Sequence, residues 1–384
     1  MKTVHWLGAG LSSLPGIEKI ALSPQPLILW NRTLSKAQEA VDALGCDVDV
    51  KALDWDVLSA TVNTGDVVVS MLPATMHLQV AELCLAKNAH FVSSSYISPE
   101  MQALDAQAKS ANLCFVNEVG LDPGLDHLLA HALVEDYQSS ASFNKDNQHF
   151  FRSYCGGFPS VPNDFKYKFS WSPLGVLKAL KSPAQWIENG APATTQKPWT
   201  ALNDFDMPLA NGTTETFQAY PNRDSVPFVG QYGMSDGWNV QEFVRGTLRL
   251  NGWAQAWDEL FTQVDTLTGD DGMAKLAAIS DDLWDKHQYD DGEADRVVLS
   301  VVLEVKDPSG ENTVFKQAYG IDEKGNERGS AMARLVSLTV AIAIESLLAG
   351  ELPQGVSPAP HNKQTVDGWL EQLARLDEKI FVTE

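Results

Sequence analysis

Cysteine is scarce. The 384 residues hold four, Cys46, Cys84, Cys114 and Cys155, with no C-x-x-C pair and no close Cys/His spacing. That pattern excludes a disulfide framework and a zinc site, so no metal is expected, and it fits a reducing cytoplasm. Basic residues are also few: 28 Lys and Arg stand against 50 Asp and Glu, for a formal net charge of −22. A field of that sign repels phosphate backbones, so no nucleic-acid partner is expected. No stretch of about 18 apolar residues is seen, and no membrane association is expected. Val4-His5-Trp6-Leu7 runs straight into glycines and reads as a first buried strand instead of the apolar core of a signal peptide. Neither an internal repeat nor a low-complexity linker interrupts the chain.

What is present suffices for well-packed interiors, with 44% hydrophobic residues, and the length exceeds one ordinary core. Strand candidates in the first 120 residues are Thr3–Leu7, Pro26–Trp30, Asp66–Met71, His90–Ser93 and Cys114–Asn117. Between them Leu34–Leu44, Met76–Lys87 and Pro99–Ser110 carry apolar residues at helical spacing. Such alternation argues for a Rossmann-type, doubly wound parallel sheet. Beyond residue 121 the texture changes. Tyr154–Pro183 is punctuated by Gly, Pro and aromatics, and Asn211–Asp236 reads as polar loops. Val244–Leu250 and Val297–Lys306 alternate as strands of a second, mixed α/β domain, Ala254–Asp285 reads as a small helical insert, and Gly329–Ala349 as a long apolar core helix. The expected domains are therefore 1–122 for a dinucleotide, 123–335 for substrate and subunit contacts with the insert at about 254–290, and 336–384 as a helical segment packing back on the first.

Gly8-Ala9-Gly10 follows the first strand, where glycines permit a tight turn and let the backbone, with Leu11 and Ser12, approach a pyrophosphate. The third glycine of G-x-G-x-x-G is replaced by Ser13, followed by Pro15-Gly16. The second strand ends in Asn31-Arg32-Thr33, with Lys36 one turn on, where an NAD site carries Asp or Glu for the ribose hydroxyl. A guanidinium suits a 2′-phosphate, so NADP(H) is the expected cofactor. The strand Asp66–Met71 runs into Leu72-Pro73, placed to pass the nicotinamide ribose, and then His77, which reads first as a structural contact at a helix start.

Several segments are more specific: Ser94-Ser95-Tyr96-Ile97-Ser98, Asn117-Glu118-Val119-Gly120-Leu121-Asp122-Pro123-Gly124-Leu125-Asp126-His127, Ser153-Tyr154-Cys155-Gly156-Gly157 and Lys168-Phe169-Ser170-Trp171-Ser172-Pro173. Further on come Tyr220-Pro221-Asn222-Arg223-Asp224-Ser225, Arg245-Gly246-Thr247-Leu248-Arg249, Gln288-Tyr289-Asp290-Asp291-Gly292-Glu293 and Ser330-Ala331-Met332-Ala333-Arg334. Taken in order, they resemble the saccharopine dehydrogenase family, the NADP-dependent, glutamate-forming enzymes of lysine metabolism. The resemblance implies oxidation of a secondary amine, or the reverse condensation, by a cytoplasmic homodimer. It implies that residues matching Tyr96, Asp122 and Cys155 line the reacting centre. It also implies that Ser95, Arg223, Arg245, Gly246 and Thr247 lie against an amino-acid substrate, with Ser94 beside the cofactor. The chemistry of these side chains agrees. Asp122, held out of helix by Pro123, can move protons, Tyr96 can donate, and Arg223 can clamp a carboxylate. Arg249 shares a strand face with Thr247 and is a weaker candidate. Against the family pattern, the missing third glycine and a shortened insert stand out. They leave a carboxynorspermidine-type polyamine dehydrogenase and a non-catalytic NADP(H)-binding protein as alternatives.

Overall fold

The computed structural model describes residues 1–384 and divides into two compact units, residues 1–128 with 327–377 and residues 129–326 with 378–384. In the first unit β1 (Val4–Leu7), β2 (Leu27–Asn31), β3 (Asp49–Ala52), β4 (Val67–Ser70), β5 (His90–Ser93) and β6 (Cys114–Val116) form a parallel sheet, extended beyond β6 by the strand Gly355–Ser357. The order is Gly355–Ser357, β6, β5, β4, β1, β2, β3. Val67, Val68 and Val69 are fully buried, which is why central strands read as apolar runs and not as alternation. Strand order reverses between β1 and β4, the place where such sheets bind ligands. The sheet is the doubly wound one that the strand–helix alternation predicts, with two local corrections. Pro99–Ser110 is two short helices, Pro99–Gln102 and Asp105–Ser110. The edge strand β3 and the following helix Trp55–Thr61 were not anticipated, because the edge is half exposed and carries little apolar signal.

Ser13 at the third-glycine position is buried just ahead of the first helix, Leu14–Ala21. The close approach that a glycine allows there is instead made one turn later. A Cβ on Gly16 would lie 2.4 Å from the Ser337 carbonyl oxygen and 2.7 Å from Trp6 Cη2 of β1. The Gly16 N–H also donates to Ser337 Oγ at 2.8 Å. Gly→Ala inside a helix ordinarily stabilises by up to about 1 kcal/mol. Here Gly16→Ala is expected to destabilise by about 2 kcal/mol through overpacking, read as a lower urea midpoint at unchanged slope. A higher midpoint would mean that the two helices can separate freely.

Ser337 belongs to the helix Ala331–Leu348. Its 18 residues have a mean hydropathy of 1.7, long and apolar enough to cross a membrane, but 78% of them are buried inside the protein. This corrects the expectation that no such stretch exists: Arg334, Ser337, Thr339 and Ser346 break the apolar run while the average stays high.

The second unit is built on long strands: β7 (Gln148–Pro159), β8 (Ala184–Glu188), β9 (Ala191–Thr195), β10 (Asn203–Pro208), β11 (Thr214–Pro221), β12 (Asn239–Leu250), β13 (Asp295–Lys306) and β14 (Thr313–Lys324). Their main path runs β10, β11, β12, β7, β13, β14 and the final strand Ile380–Thr383, with β8 paired to β12 and β9. Only β12 and β7 run parallel in that path. Two expectations are corrected. Cys155 and its glycines lie inside the twelve-residue strand β7, not in an irregular segment. Asn211–Asp236 contains β11 and the helix Pro227–Gln231 besides loops. One sheet face packs Tyr154, Phe158, Phe217, Leu248 and Val298 into a core. The helical insert consists of Trp253–Ala256, Asp258–Thr266 and Gly269–His287, and it closes an aromatic core around Tyr167, Tyr220, Trp253 and Trp257.

Candidate functional site

At the switch point of the first unit, Gly8 has φ +103, and a Cβ there would meet the Met71 carbonyl oxygen at 2.9 Å, so β1 and β4 can end side by side only with glycine. Gly10 and Leu11 are exposed, Ser12 is half-buried, and a Cβ on Gly10 would touch nothing within 4 Å. That leaves room for a ligand against backbone. Asn31 closes the turn: its Oδ1 accepts from the Ala9 N–H at 3.4 Å, and its Nδ2 donates to the Thr33 carbonyl at 2.9 Å. Asn31 therefore organises the crevice from its side, while Arg32, Thr33 and Lys36 project into solvent at the end of β2. Leu72, half-buried, and Pro73, exposed, follow β4. Exposed cations without a carboxylate in the ribose position fit a dinucleotide carrying a 2′-phosphate.

Behind this edge His77 is almost completely buried. Its Nδ1 is 2.8 Å from Ser70 Oγ and its Nε2 is 2.8 Å from Ser95 Oγ, with Ser93 Oγ at 3.4 Å. His77 thus ties the end of β4 to the Ser94-Ser95-Tyr96 segment, a role its position at a helix start does not announce. Tyr96 donates its hydroxyl to Asp122 Oδ1 at 2.8 Å, and both side chains are half-buried. The Asp122 loop is tight: the Gly120 N–H donates to the Pro123 carbonyl at 2.9 Å, and the Gly124 N–H to the Asp126 carboxylate at 2.7 Å. Glu118, at φ +57, accepts from the Ile97 N–H at 3.0 Å and approaches His127 Nε2 at 3.2 Å. Glu118 and His127 belong to the motif around Asp122, but their pairing depends on a left-handed residue that no sequence pattern signals.

In the second unit Thr247 of β12 stands in register with Cys155 of β7 and Tyr220 of β11. Arg245, Thr247 and Arg249 alternate onto one face with Ser153 and Cys155, while Gly246 and Leu248 turn to the core. Arg245 is 5% exposed, and its guanidinium lies 3.9 Å over the Phe228 ring. Arg223 is exposed at φ +57 on the turn after β11, where its carbonyl accepts from the Gln185 N–H at 2.8 Å.

Burial holds the His77 imidazole down to about 4. It holds His149 of β7 down to about 4 as well, against the opposing pull of the Asn239 carbonyl. The unfolded chain takes up these protons near the ordinary value of 6.5, so stability is lost as pH falls from about 6.5 towards 4 and is flat above 7. The slope is about 1.4 kcal/mol per pH unit for each histidine, which comes to about 3 kcal/mol for each of the two over the window. Urea melts at pH 7, 5.5 and 4 should show this, and His149→Gln should remove one proton from the slope. An unchanged slope in that variant would show that His149 is protonated in the folded state.

Comparison with known proteins converges on this arrangement. The family model described as saccharopine dehydrogenase NADP binding domain matches residues 4–116, and that described as saccharopine dehydrogenase C-terminal domain matches residues 120–376. Saccharopine dehydrogenase (NADP+, L-glutamate-forming) of Pyricularia oryzae is 29% identical, over 97% of this chain and 96% of its own. The mitochondrial alpha-aminoadipic semialdehyde synthase of Bos taurus is 28% identical over 97% of this chain, which spans 46% of that protein. Apo histidine-tagged saccharopine dehydrogenase (L-Glu forming) from Saccharomyces cerevisiae superposes with a TM-score of 0.79 at 25% identity, covering 100% of both chains. The fold extends to homospermidine synthase from Legionella pneumophila, with a TM-score of 0.63 at 10% identity over 100% of this chain and 91% of that one. With both halves matched, and the glycine turn, the Tyr96–Asp122 pair and the Arg-Gly-Thr strand each in place, the chain belongs to the saccharopine dehydrogenase family.

Proposed function

We propose that the chain is an NADP(H)-dependent oxidoreductase that cleaves the secondary-amine C–N bond of saccharopine to glutamate and 2-aminoadipate 6-semialdehyde, or forms it in reverse. The observation that carries this is the Tyr96 hydroxyl set on the Asp122 carboxylate at 2.8 Å, at the carboxyl edge of the parallel sheet. Residues 1–122 are the cofactor domain, with Gly8, Gly10, Leu11, Ser12, Asn31, Arg32, Thr33, Leu72, Pro73 and Ser94 around NADP(H). When bound, the nicotinamide supplies the hydride acceptor. The rest falls to the protein. The amine must lose a proton on oxidation, and hydrolysis of the imine must take a proton from water. Asp122 accepts, Tyr96 donates, and Ser95, fixed by His77, presents a hydroxyl of set orientation. Residues 123–335 are the substrate domain: Arg223 and Arg245 bind carboxylates, Gly246 and Thr247 offer the β12 edge, and Cys155 orders water or a proton beside Thr247. Of the segment 336–384, residues 336–377 belong with the cofactor domain, whereas Ile380–Thr383 pairs with β14 of the second unit, which corrects the expectation that the whole segment packs on the first domain.

Assembly as a homodimer in the cytoplasm belongs to the same reading, and sedimentation of the purified chain checks the first part. The reaction is tested by absorbance at 340 nm with saccharopine and either NADP+ or NAD+. Reduction with strong preference for NADP+ is the expected result. Silence with saccharopine while NADPH still binds would overturn the substrate and point to a polyamine.

A further inference from the structure

The segment that carries Tyr96 lies outside regular structure: β5 ends at Ser93 and the next helix starts at Pro99. Glu118 holds its backbone. The Glu118 N–H donates to the Ser95 carbonyl at 3.1 Å, and the Glu118 Oε1 accepts from the Ile97 N–H at 3.0 Å. These belong to the two peptide groups on either side of the Tyr96 Cα, so one residue restrains both backbone torsions that aim the Tyr96 side chain. Four residues on, Asp122 accepts the Tyr96 hydroxyl at 2.8 Å. Tyr96 is thus gripped by its backbone at one end of the loop and by its hydroxyl at the other. The loop between has little slack. A Cβ on Gly120 would lie 2.9 Å from Ser94 Cβ, and the Leu125 N–H donates to the Gly120 carbonyl at 2.9 Å.

Glutamate is a costly residue at this place. With φ +57 it occupies the left-handed region, where glycine or asparagine is easier. Its carboxylate is buried as well, in a residue 5% exposed, which adds desolvation. Such costs persist where the side chain supplies what glycine cannot. Glu118 Oε2 is 3.2 Å from Nε2 of the fully buried His127, and His127 Nδ1 is 3.8 Å from Asp126 Oδ2. Asp126 in turn accepts from the Gly124 N–H at 2.7 Å. A buried line of Glu118, His127 and Asp126 therefore joins the Tyr96 segment to the far side of the Asp122-Pro123 turn.

We propose that Glu118 is the positioning residue of the Tyr96–Asp122 pair. Its carboxylate sets the Tyr96 backbone so that the hydroxyl rests on Asp122, and His127 with Asp126 keeps that carboxylate in place. Glu118 acts through Tyr96 and not on the reacting atoms. The inference rests on the proton-handling role proposed above for the pair.

Steady-state kinetics with saccharopine and NADP+ test it. Glu118→Gly, free of backbone strain but without the carboxylate, should lower kcat about tenfold, the loss expected for Tyr96→Phe, with KM and NADPH affinity little changed. Glu118→Gln keeps an oxygen for the Ile97 N–H and should stay within about threefold of wild type. In a Tyr96→Phe background Glu118→Gly should cost nothing more. A merely structural residue would slow both backgrounds alike, and that result would overturn the proposal while the reaction stands. Glu118→Asn, which tolerates the left-handed backbone but stops one methylene short, decides the matter if the glycine variant does not fold. A second readout needs no turnover. With tyrosines carbon-13 labelled at Cζ, the Tyr96 signal is the one of eight that Tyr96→Phe removes. It should move towards the value of free tyrosine in Glu118→Gly and stay in place in Glu118→Gln. An unmoved signal in Glu118→Gly would also overturn the proposal. A moved signal in a protein inert towards saccharopine would keep the positioning role and remove the reaction.

Discussion

Replacing Asp122 by Asn is expected to lower kcat/KM for saccharopine by about 10²- to 10⁴-fold, the range that removal of a general acid–base group produces. The substitution is nearly isosteric, and Asn can still accept from the Tyr96 hydroxyl, which now donates to Asp122 Oδ1 at 2.8 Å. What it cannot do is take a proton at neutral pH. The backbone bonds that shape the loop, from the Gly120 N–H to the Pro123 carbonyl and from Gly124 to Asp126, do not involve the Asp122 side chain. The melting temperature and NADPH affinity should therefore stay at wild-type values while turnover collapses. Tyr96→Phe should lose less, about tenfold, because the carboxylate remains and only its donor is gone. Since the two side chains act on each other, the double variant should be no slower than Asp122→Asn alone. Turnover of Asp122→Asn within threefold of wild type would make Asp122 an ordinary turn residue and remove the proton-handling role.

That prediction is available from sequence because Asp122 stands just ahead of two strong local signals, Pro123 and Gly124, a few residues past a recognisable strand. The same holds for the glycine turn and for the cations after β2, whose meaning comes from residue type and spacing along a few residues. The central strands are legible for a related reason. Burial on both faces leaves no alternative to a run such as Val67-Val68-Val69. What escapes is whatever depends on partners far along the chain. The glycine needed at the first helix is identified by Ser337, over 300 residues away, so Gly16 looks like an oddity until the Ala331–Leu348 helix is placed against it. Cys155 reads as irregular because its two glycines mimic a loop. In the structure Gly156 is required by Leu248, whose carbonyl would lie 2.5 Å from a Cβ there. His77 acquires its role only when Ser70 and Ser95, from two different strand ends, meet its two nitrogens.

Replacing Arg32 by Asp is expected to reverse cofactor preference, with a swing of about a thousandfold between NADPH and NADH. A 2′-phosphate carries nearly two negative charges and strong acceptor oxygens, and Arg32 and Lys36 are the exposed cations at the end of β2. A carboxylate in place of Arg32 removes a charge-assisted contact and adds like-charge repulsion, together several kcal/mol at about 1.4 kcal/mol per tenfold. The same carboxylate can accept from the ribose 2′-hydroxyl of NADH, the arrangement common in NAD sites, so NADH affinity should hold or improve. Asn31 keeps the turn in shape in either case, because its side chain is engaged with Ala9 and Thr33 and not with Arg32. Arg32→Ala isolates the attraction from the repulsion and should lose about tenfold in NADPH affinity alone, since Lys36 remains. Exposure makes the term sensitive to salt: NADPH affinity of wild type should fall between 0.05 and 0.5 M KCl far more than that of Arg32→Ala. Fluorescence titration of both nucleotides into the three proteins measures all of this. Unchanged NADPH preference in Arg32→Asp would place the phosphate contact on other residues and leave Arg32 a solvated surface cation.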